Sequence, residues 1–549
     1  MPNNKNAVDL AAALFPNRTS TVEELETRYP PRLLPDGAVV TRFAPSPTGY
    51  LHMGGLFCAF CDRLTASKAN GLFFLRIDDT DQKRKVEGGV AAIVDGLRLF
   101  GIVPNEGVMS ESEEIGAYGP YTQSKRKEIY HAVAKRLVER GLAYPCFCSP
   151  KSLDELRGAQ EAANVNKGYY GTWARCRDLT VDEQIARIRA GEAFTLRFRA
   201  DGDETKKYVV NDLIRGKLEM PENIMNVVLL KTDGIPTYHF AHVVDEHFMR
   251  VTHVIRGDEW LASLPLHIAL FRACGFKMPK YAHTATLMKE DNGGKRKISK
   301  RKDPEAAVSY FLEQGYPAPA VLEYLLTLLN SGFEDWRRAN PDVPLLQYPF
   351  QLKNLSSSGA LFDWAKLGDV SKNVLARMDA AALLRFALDW SKTYDPALFA
   401  LLSRDEHYAE SVLRIDRGGA KPRKDIAKLT QLKAYLAYFY DDLFEPAVIP
   451  HADGKAILEA YADVFNPEDS KDAWFAAIKT MCASLGFAPN TKEYKQSPAD
   501  YKGHVGDVTT VIRLAVTGRE NTPDLWAIMQ VLGGVRTRQR MAQTLCRLG

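Results

Sequence analysis

Residues 40–81 read VTRFAPSPTGYLHMGGLFCAFCDRLTASKANGLFFLRIDDTD. Val39–Phe43 is a short β-run, and Pro45, Pro47 and Gly49 then force a loop. His52-Met53-Gly54-Gly55 opens an apolar helical stretch to about Ala69, Asn70-Gly71 stops it, and Leu72–Ile77 is the next β-run. Two strands joined by a helix form a parallel βαβ unit. In open α/β sheets ligands sit at the carboxyl ends of strands, beside the next helix N-terminus. Here that spot carries a histidine and two glycines: an imidazole to bond a phosphate, and backbone open to close approach by a base or ribose. Cys58 and Cys61 have the spacing of a redox pair, but they lie three apart on one face of this helix, which reads as core.

A second basic signal lies far downstream. Asp291-Asn292-Gly293-Gly294 is a turn-forming run that reads as a mobile loop, and Lys297-Ile298-Ser299-Lys300-Arg301 follows it. Two lysines three apart beside a serine make a compact cation able to close over a triphosphate. Lys302-Asp303-Pro304-Glu305 then predicts a helix start, running to Gln314 and stopping at Gly315, a hinge for a loop that opens and closes over a nucleotide. Asn226–Leu230 (NVVLL) predicts a buried parallel strand, Thr252–Ile255 another strand, and Trp260–Cys274 a helix.

Together TRFAPSPTGYLHMGG, LRIDDTD, DGIPTYHFAHVVDEH, THVIRGDEW, KISKRKD, LFDWAKL and AVTGRENTPDLWAIMQVLGG resemble the bacterial-type glutamyl-tRNA synthetases, a class I aminoacyl-tRNA synthetase family. PSPTG stands where the glutaminyl enzymes typically carry an acidic variant. The resemblance implies an α/β multidomain chain: a Rossmann-like catalytic domain with an inserted acceptor-binding domain, then an all-α anticodon-binding region. The implied boundaries are an N-terminal extension at 1–38, catalytic halves at 39–115 and 226–302, the insertion at 116–225, a stem-contact domain at 303–375, and the anticodon region at 376–549. In the extension, Ala7–Phe15 and the capping box begun by Thr21 predict two short helices packed on the catalytic domain.

The implied reaction joins glutamate to tRNA through glutamyl-adenylate, with ATP and Mg²⁺. By resemblance the catalytic groups are His52, Lys297 and Lys300. ATP is met by His52, Gly54, Gly55, Glu259, Trp260, Lys297, Ser299 and Lys300. Glutamate carries two carboxylates and one ammonium, so two arginines and one acid are the minimum pocket. Arg42 would bind the side-chain carboxylate, Arg256 the α-carboxylate (or the reverse) and Asp78 the ammonium, although the family usually has Glu at this last position. Ala44, Ser46, Tyr238 and His242 complete the implied subsite. Cys146, Cys148 and Cys176 give partial zinc spacing. Some family members hold a zinc there with a tyrosine, for which Tyr170 is the candidate and Tyr169 the alternative. The implied partners are tRNA-Glu, or also tRNA-Gln in a relaxed enzyme. Intact His52, Lys297 and Lys300 argue against a non-catalytic tRNA-binding module, and the long helical half argues against the shortened relative that modifies a tRNA base.

Composition agrees. The 549 residues imply several domains, and 46% hydrophobic residues can bury large cores. The formal charge of +4, from 72 basic and 68 acidic residues, leaves any nucleic-acid surface to local clustering. Clusters at Arg417, Lys421, Arg423 and Lys424, and at Arg536, Arg538 and Arg540, are candidates for phosphate contact or for solvated helix faces. Eight scattered cysteines, no membrane-length apolar run and no secretory leader point to a cytoplasmic protein, and the resemblance implies a monomer.

Overall fold

Capping sets the first helices. In the computed structural model, which describes residues 4–17, 20–298, 302–419 and 421–548, α1 is Asn4–Leu14 and α2 is Val22–Arg28. Thr21 and Glu24 form the reciprocal capping box that the sequence predicts. The segment is tied down: the Tyr29 hydroxyl donates to the Gly119 carbonyl at 2.9 Å, Glu26 pairs with His247 and Arg250 at 2.6 Å each, and Arg32 pairs with Glu106 at 3.0 Å.

The βαβ unit follows as expected. β1 (Val40–Phe43) and β2 (Leu72–Leu75) are parallel, with Arg42 opposite Phe74, and α3 (Met53–Lys68) crosses between them. His52 is the N-cap of α3, and its Nδ1 accepts the Gly55 N–H at 3.1 Å. Phe57, Phe60 and Leu64 are buried on the helix, each a contribution of about 1.5–3 kcal/mol. Cys58 and Cys61 are buried and unbridged, as a core pair should be. At the helix exit Asn70 takes φ 48°, and a Cβ on Gly71 would lie 1.9 Å from the Val39 carbonyl oxygen, so only glycine lets β2 start beside β1.

After α4 (Gly89–Leu99), β3 (Glu106–Val108) adds parallel to β2 and β4 (Glu114–Ile115) antiparallel to β3. α5 (Lys127–Glu139) leads to β5 (Ala143–Cys146), then α6 (Pro150–Ala162), α7 (Val181–Arg189), β6 (Thr195–Phe198), the hairpin of β7 (Lys207–Asp212) and β8 (Gly216–Pro221), and β9 (Val228–Leu230). β9 runs antiparallel to β6 and β6 antiparallel to β5. The NVVLL run is therefore a strand but not a parallel one. A continuous apolar run reports burial on both faces, which an antiparallel sheet under helices also provides. α8 (Tyr238–Phe248) returns the chain to β10 (His253–Gly257), where the Thr252 N–H bonds the Val40 carbonyl at 3.0 Å. After α9 (Leu264–Cys274), β11 (Lys280–Thr284) pairs in parallel with β10. α9 is preceded by a 3₁₀ segment over Asp258–Ser263 rather than starting at Trp260.

Two expectations near the basic loop are corrected. β12 (Leu287–Asp291) and β13 (Gly294–Lys297) form an antiparallel hairpin whose Asn292 and Gly293 have φ 49° and 79°, the two-residue turn that favours Asn-Gly. The helix predicted from Asp303 to Gln314 is broken: a 3₁₀ turn covers Pro304–Ala306 and the α-helix covers only Val308–Glu313. Ala307 is extended because it bridges to His52, and the Val308 N–H bonds the Leu51 carbonyl at 3.1 Å.

The chain forms two compact units, Met1–Phe311 with Leu322–Asp363 and Leu312–Val321 with Trp364–Gly549. The first is the α/β body just described. The second is helical, and its described residues contain no strand, only a bridge between Ala488 and His504. Its core gathers residues such as Leu383, Leu402, Leu432, Ile478, Ile512 and Ile528. Of the basic clusters here, Lys421 and Lys424 are exposed, while the arginines find partners within the unit. Arg417 donates to the Leu413, Leu375 and Met378 carbonyls, and Arg423 pairs with Asp425. Buried Arg540 donates to the Tyr438 and Val516 carbonyls and pairs with Asp441. Arg538 donates to the Phe465 carbonyl and Arg536 to that of Phe439. Arg417, Arg536, Arg538 and Arg540 thus bond carbonyls at helix ends, although the Arg538 side chain remains exposed. No described helix is long and apolar enough to cross a membrane.

Candidate active site

A cavity of about 1230 Å³ opens at the carboxyl ends of β1 and β10, between the Ala44–Leu51 loop, the N-terminus of α3, the start of α8 and the β12–β13 hairpin. Of the residues selected from sequence, Arg42, Ala44, Ser46, His52, Gly54, Gly55, Tyr238, Arg256, Glu259, Trp260 and Lys297 line it. They come from segments up to 255 residues apart, Arg42 to Lys297, and parallel pairing of β1 with β2 and of β10 with β11 brings them to one edge.

At one end sit the two arginines. Arg42, buried on β1, gives its Nε–H to Glu246 Oε1 at 2.8 Å. Arg256 closes β10 and donates to His283 Nε2 at 3.0 Å and His267 Nδ1 at 3.1 Å. Tyr238 opens α8, and its ring lies 4.3 Å from that of Trp260. Two selected residues lie outside the cavity lining. Asp78 is buried and bidentate on Arg76, with contacts of 2.7 and 3.2 Å. Burial pushes its carboxyl up to about 6 despite that arginine. His242 stands behind Tyr238, its ring stacked at 5.8 Å and its Nε2 2.8 Å from the Tyr281 hydroxyl. Burial pushes His242 down to about 3, so it is neutral. Beneath both, Glu246 takes Arg42 and, at 3.3 Å, Arg76. Burial alone would raise this carboxyl, but the two guanidinium groups outweigh it and hold Glu246 well below its usual range.

At the other end, the neutral tautomer of His52 follows from its cap. Because Nδ1 accepts the Gly55 N–H, the ring proton is on Nε2, a donor beside the α3 N-terminus. Lys297 ends β13 and lies 3.4 Å from Glu259. The hairpin is anchored by Arg296 on Asp303, at 2.6 and 2.8 Å, and by Lys289 on Asp303 and Glu305. Ser299 and Lys300 lie outside the described residues. This end can take an anionic, flat-based ligand; the other can take carboxylates.

Away from the cavity, Cys146, Cys148 and Cys176 put their sulfurs within 4.8 Å of one another. Tyr169, not Tyr170, completes the group. The Tyr169 hydroxyl is 3.5 Å from Cys146 Sγ and 3.3 Å from Cys148 Sγ, whereas the Tyr170 hydroxyl donates to the Asn166 carbonyl at 2.6 Å. Asn226 explains the choice: its N–H and side-chain amide hold the Tyr169 carbonyl, fixing the backbone so that Tyr169 points inward. Sulfurs around a tetrahedral zinc stand about 3.8 Å apart, and Cys148 and Cys176 are 3.6 Å apart, so the donor set fits such an ion.

Sequence reading missed Glu246, Asp212, His267 and His283. For Glu246 a signal existed: it lies four residues after His242, on the same face of α8. The others depend on pairing across the fold.

A model of the catalytic domain of class I tRNA synthetases (E and Q) matches residues 38–358, and a model of an anticodon binding domain matches residues 392–545. A glutamate–tRNA ligase of Acetivibrio thermocellus is 48% identical over 98% of this chain and 99% of its own length. One from Clostridium perfringens is 45% identical over 97% and 99%. Among solved structures, a glutamate tRNA ligase from Elizabethkingia meningosepticum in complex with its amino acid superposes with a TM-score of 0.76 at 25% identity, covering 93% of this chain and all of that one.

Proposed function

The chain belongs to the class I tRNA synthetases of the glutamate and glutamine type, and from that premise we propose that it is a glutamate–tRNA ligase, activating L-glutamate with ATP and passing it to the terminal adenosine of tRNA-Glu. The observation that carries this reading is the cavity with two arginines at one end and the His52 cap at the other.

In the first step a glutamate carboxylate oxygen attacks the α-phosphorus of ATP, which enters as its Mg²⁺ complex, and pyrophosphate leaves. Anions approach anions, so the step needs positioning and positive charge more than a dedicated acid or base. Arg42, fixed through Nε, presents its remaining N–H groups to the side-chain carboxylate. Arg256 presents its fork to the α-carboxylate. His52 gives its Nε2–H, and the α3 N-terminus its dipole, to the phosphates, joined by Lys297. Asp78 reaches the ammonium only by leaving Arg76. In the second step the ribose hydroxyl of the tRNA attacks the acyl carbon and AMP leaves. We assign the acceptor arm to the 116–225 insertion, the stem to 303–375 and the anticodon to 376–549. Cys146, Cys148, Cys176 and Tyr169 would hold a structural zinc that braces the insertion. The reading places the protein in the cytoplasm, acting as a monomer.

The test is charging of purified tRNA-Glu and tRNA-Gln with labelled glutamate, ATP and Mg²⁺ in parallel. Charging of tRNA-Glu alone is expected. Charging of both would make the enzyme the relaxed form, and charging of neither with active tRNA would overturn the assignment.

A further inference from the structure

Arg256 differs from the buried arginines around the cavity in what holds it; farther off, in the insertion, buried Arg197 also lacks a carboxylate among the described residues and donates to the Asn226 carbonyl. Arg42, Arg76 and Arg126 each pair with a carboxylate. Among the described residues Arg256 has none within ion-pair distance. It donates from Nε to His283, from Nη1 to His267 and, at 3.3 Å, from Nη2 to the Trp260 carbonyl. An imidazole nitrogen accepts only when it carries no hydrogen, so both rings are neutral and each has its proton on the far nitrogen. Both are fully buried, and burial lowers the pKa of each.

The tautomer of His283 has a visible cause. Its Nδ1–H points at Asp212 Oδ2, 2.7 Å away, and its backbone N–H meets the same carboxylate at 3.2 Å. Asp212 is 2% exposed and closes the β7–β8 hairpin, its Oδ1 fixed by the N–H groups of Ile214 and Arg215 at 2.9 Å each. We propose that Asp212 is a positioning residue for the amino-acid subsite: it locks His283 with Nδ1 protonated, so that Nε2 offers a lone pair to Arg256 and holds that guanidinium, its charge uncompensated, for the carboxylate of the bound amino acid. The inference rests on the reading of Arg256 given above. Its physical logic is that a carboxylate placed directly on Arg256 would compete with the substrate, whereas one placed behind a neutral imidazole orients the fork and leaves its charge available.

Asp212 also rivets the hairpin to β11, where the Leu213 N–H bonds the Tyr281 carbonyl at 2.9 Å, so the test must separate orientation from folding. In Asp212→Asn the amide can donate to Nδ1, which puts the ring proton on Nε2, against the donors of Arg256. The glutamate KM is expected to rise at least tenfold while the ATP KM stays within twofold. Adding His283→Gln, whose side chain has an acceptor and no tautomer to lose, is expected to return the glutamate KM to within threefold of wild type. Independently, His283→Gln alone should leave the glutamate KM near wild type and His283→Met, which has no such acceptor, should raise it tenfold. A glutamate KM unchanged in Asp212→Asn, no rescue in the double variant, or equal effects of Gln and Met at 283 would each overturn the inference. Arg256→Lys serves as the separate control: an unchanged glutamate KM there would remove Arg256 from the subsite and with it the premise.

Discussion

Replacing Glu246 by Gln removes the one charge that Arg42 and Arg76 share. Its Oε1 lies 2.8 Å from Arg42 Nε, 3.3 Å from Arg76 Nη2 and 3.0 Å from His242 Nδ1, and all four side chains are buried. Arg76 keeps Asp78 and Asp245, at 2.7 and 3.8 Å, but Arg42 keeps only a weak 3.4 Å contact to the Ile255 carbonyl. One buried cation is thus left unbalanced, which costs about 3–5 kcal/mol. For a unit of roughly 350 residues the entropy of unfolding is about 0.7 kcal/mol/K, so the melting temperature of that unit should fall by about 4–7 °C. One escape exists. The Asp62 carboxyl is buried, and burial holds its pKa well above the usual range against the opposing positive charge of Arg42. Losing Glu246 favours ionisation of Asp62, which would recover part of the loss. Glu246→Gln combined with Asp62→Asn closes that route and should melt lower than Glu246→Gln alone. In charging kinetics Arg42 loses the hold on its Nε that orients its other N–H groups, and this loss of orientation, larger than the gain from removing a competing carboxylate, should raise the glutamate KM about tenfold, an apparent loss of about 1.4 kcal/mol in substrate binding. Calorimetry and steady-state charging measure the two effects. A melting shift under about 1 °C in the double variant would refute the account of Arg42 as an arginine neutralised from beneath.

Gly71→Ala should destabilise the α/β unit by more than about 3 kcal/mol, because the added Cβ meets a backbone oxygen at 1.9 Å and no rotamer relieves it; a melting temperature within about 2 °C of wild type would contradict this. The neutral His242 predicts acid sensitivity: its folded pKa is about 3 and an unfolded histidine titrates near 6.5, so the unfolded chain takes up the extra proton as pH falls through that window. Stability should drop there by about 1.4 kcal/mol per pH unit from this ring, and His242→Gln should flatten the slope of denaturant midpoint against pH by one proton. Asp78 works the other way between about 6 and 4, since its raised pKa makes the folded state bind the proton first, and Asp78→Asn should therefore steepen the acid loss. In the helical unit, Arg540→Ala leaves the Tyr438 and Val516 carbonyls without their donor and should cost about 2–4 kcal/mol, without changing the salt slope of tRNA binding; a slope reduced by about one would mean that Arg540 touches phosphate after all.

Some of this protein was fixed by local chemistry and could be read from the chain. The cap of α3 by His52, the Thr21–Glu24 box, the stop at Asn70-Gly71 and the positions of β1 and β2 each depend on residues within a few places of one another. The motifs then named the family, and with it eleven residues of the cavity lining. The tertiary structure decided whatever depends on a partner from elsewhere. Ala307 is extended because His52, some 255 residues earlier, bridges to it. Tyr169 rather than Tyr170 faces the cysteines because Asn226 holds its carbonyl. Arg42 stands on Glu246, while Arg256 stands on two neutral imidazoles and, behind one of them, on Asp212. A sequence states which groups exist and what their near neighbours make of the backbone. Which buried charge faces which, and therefore which guanidinium arrives at the cavity already neutralised, is set by the packing of strands distant in the chain, where low dielectric makes each pairing count.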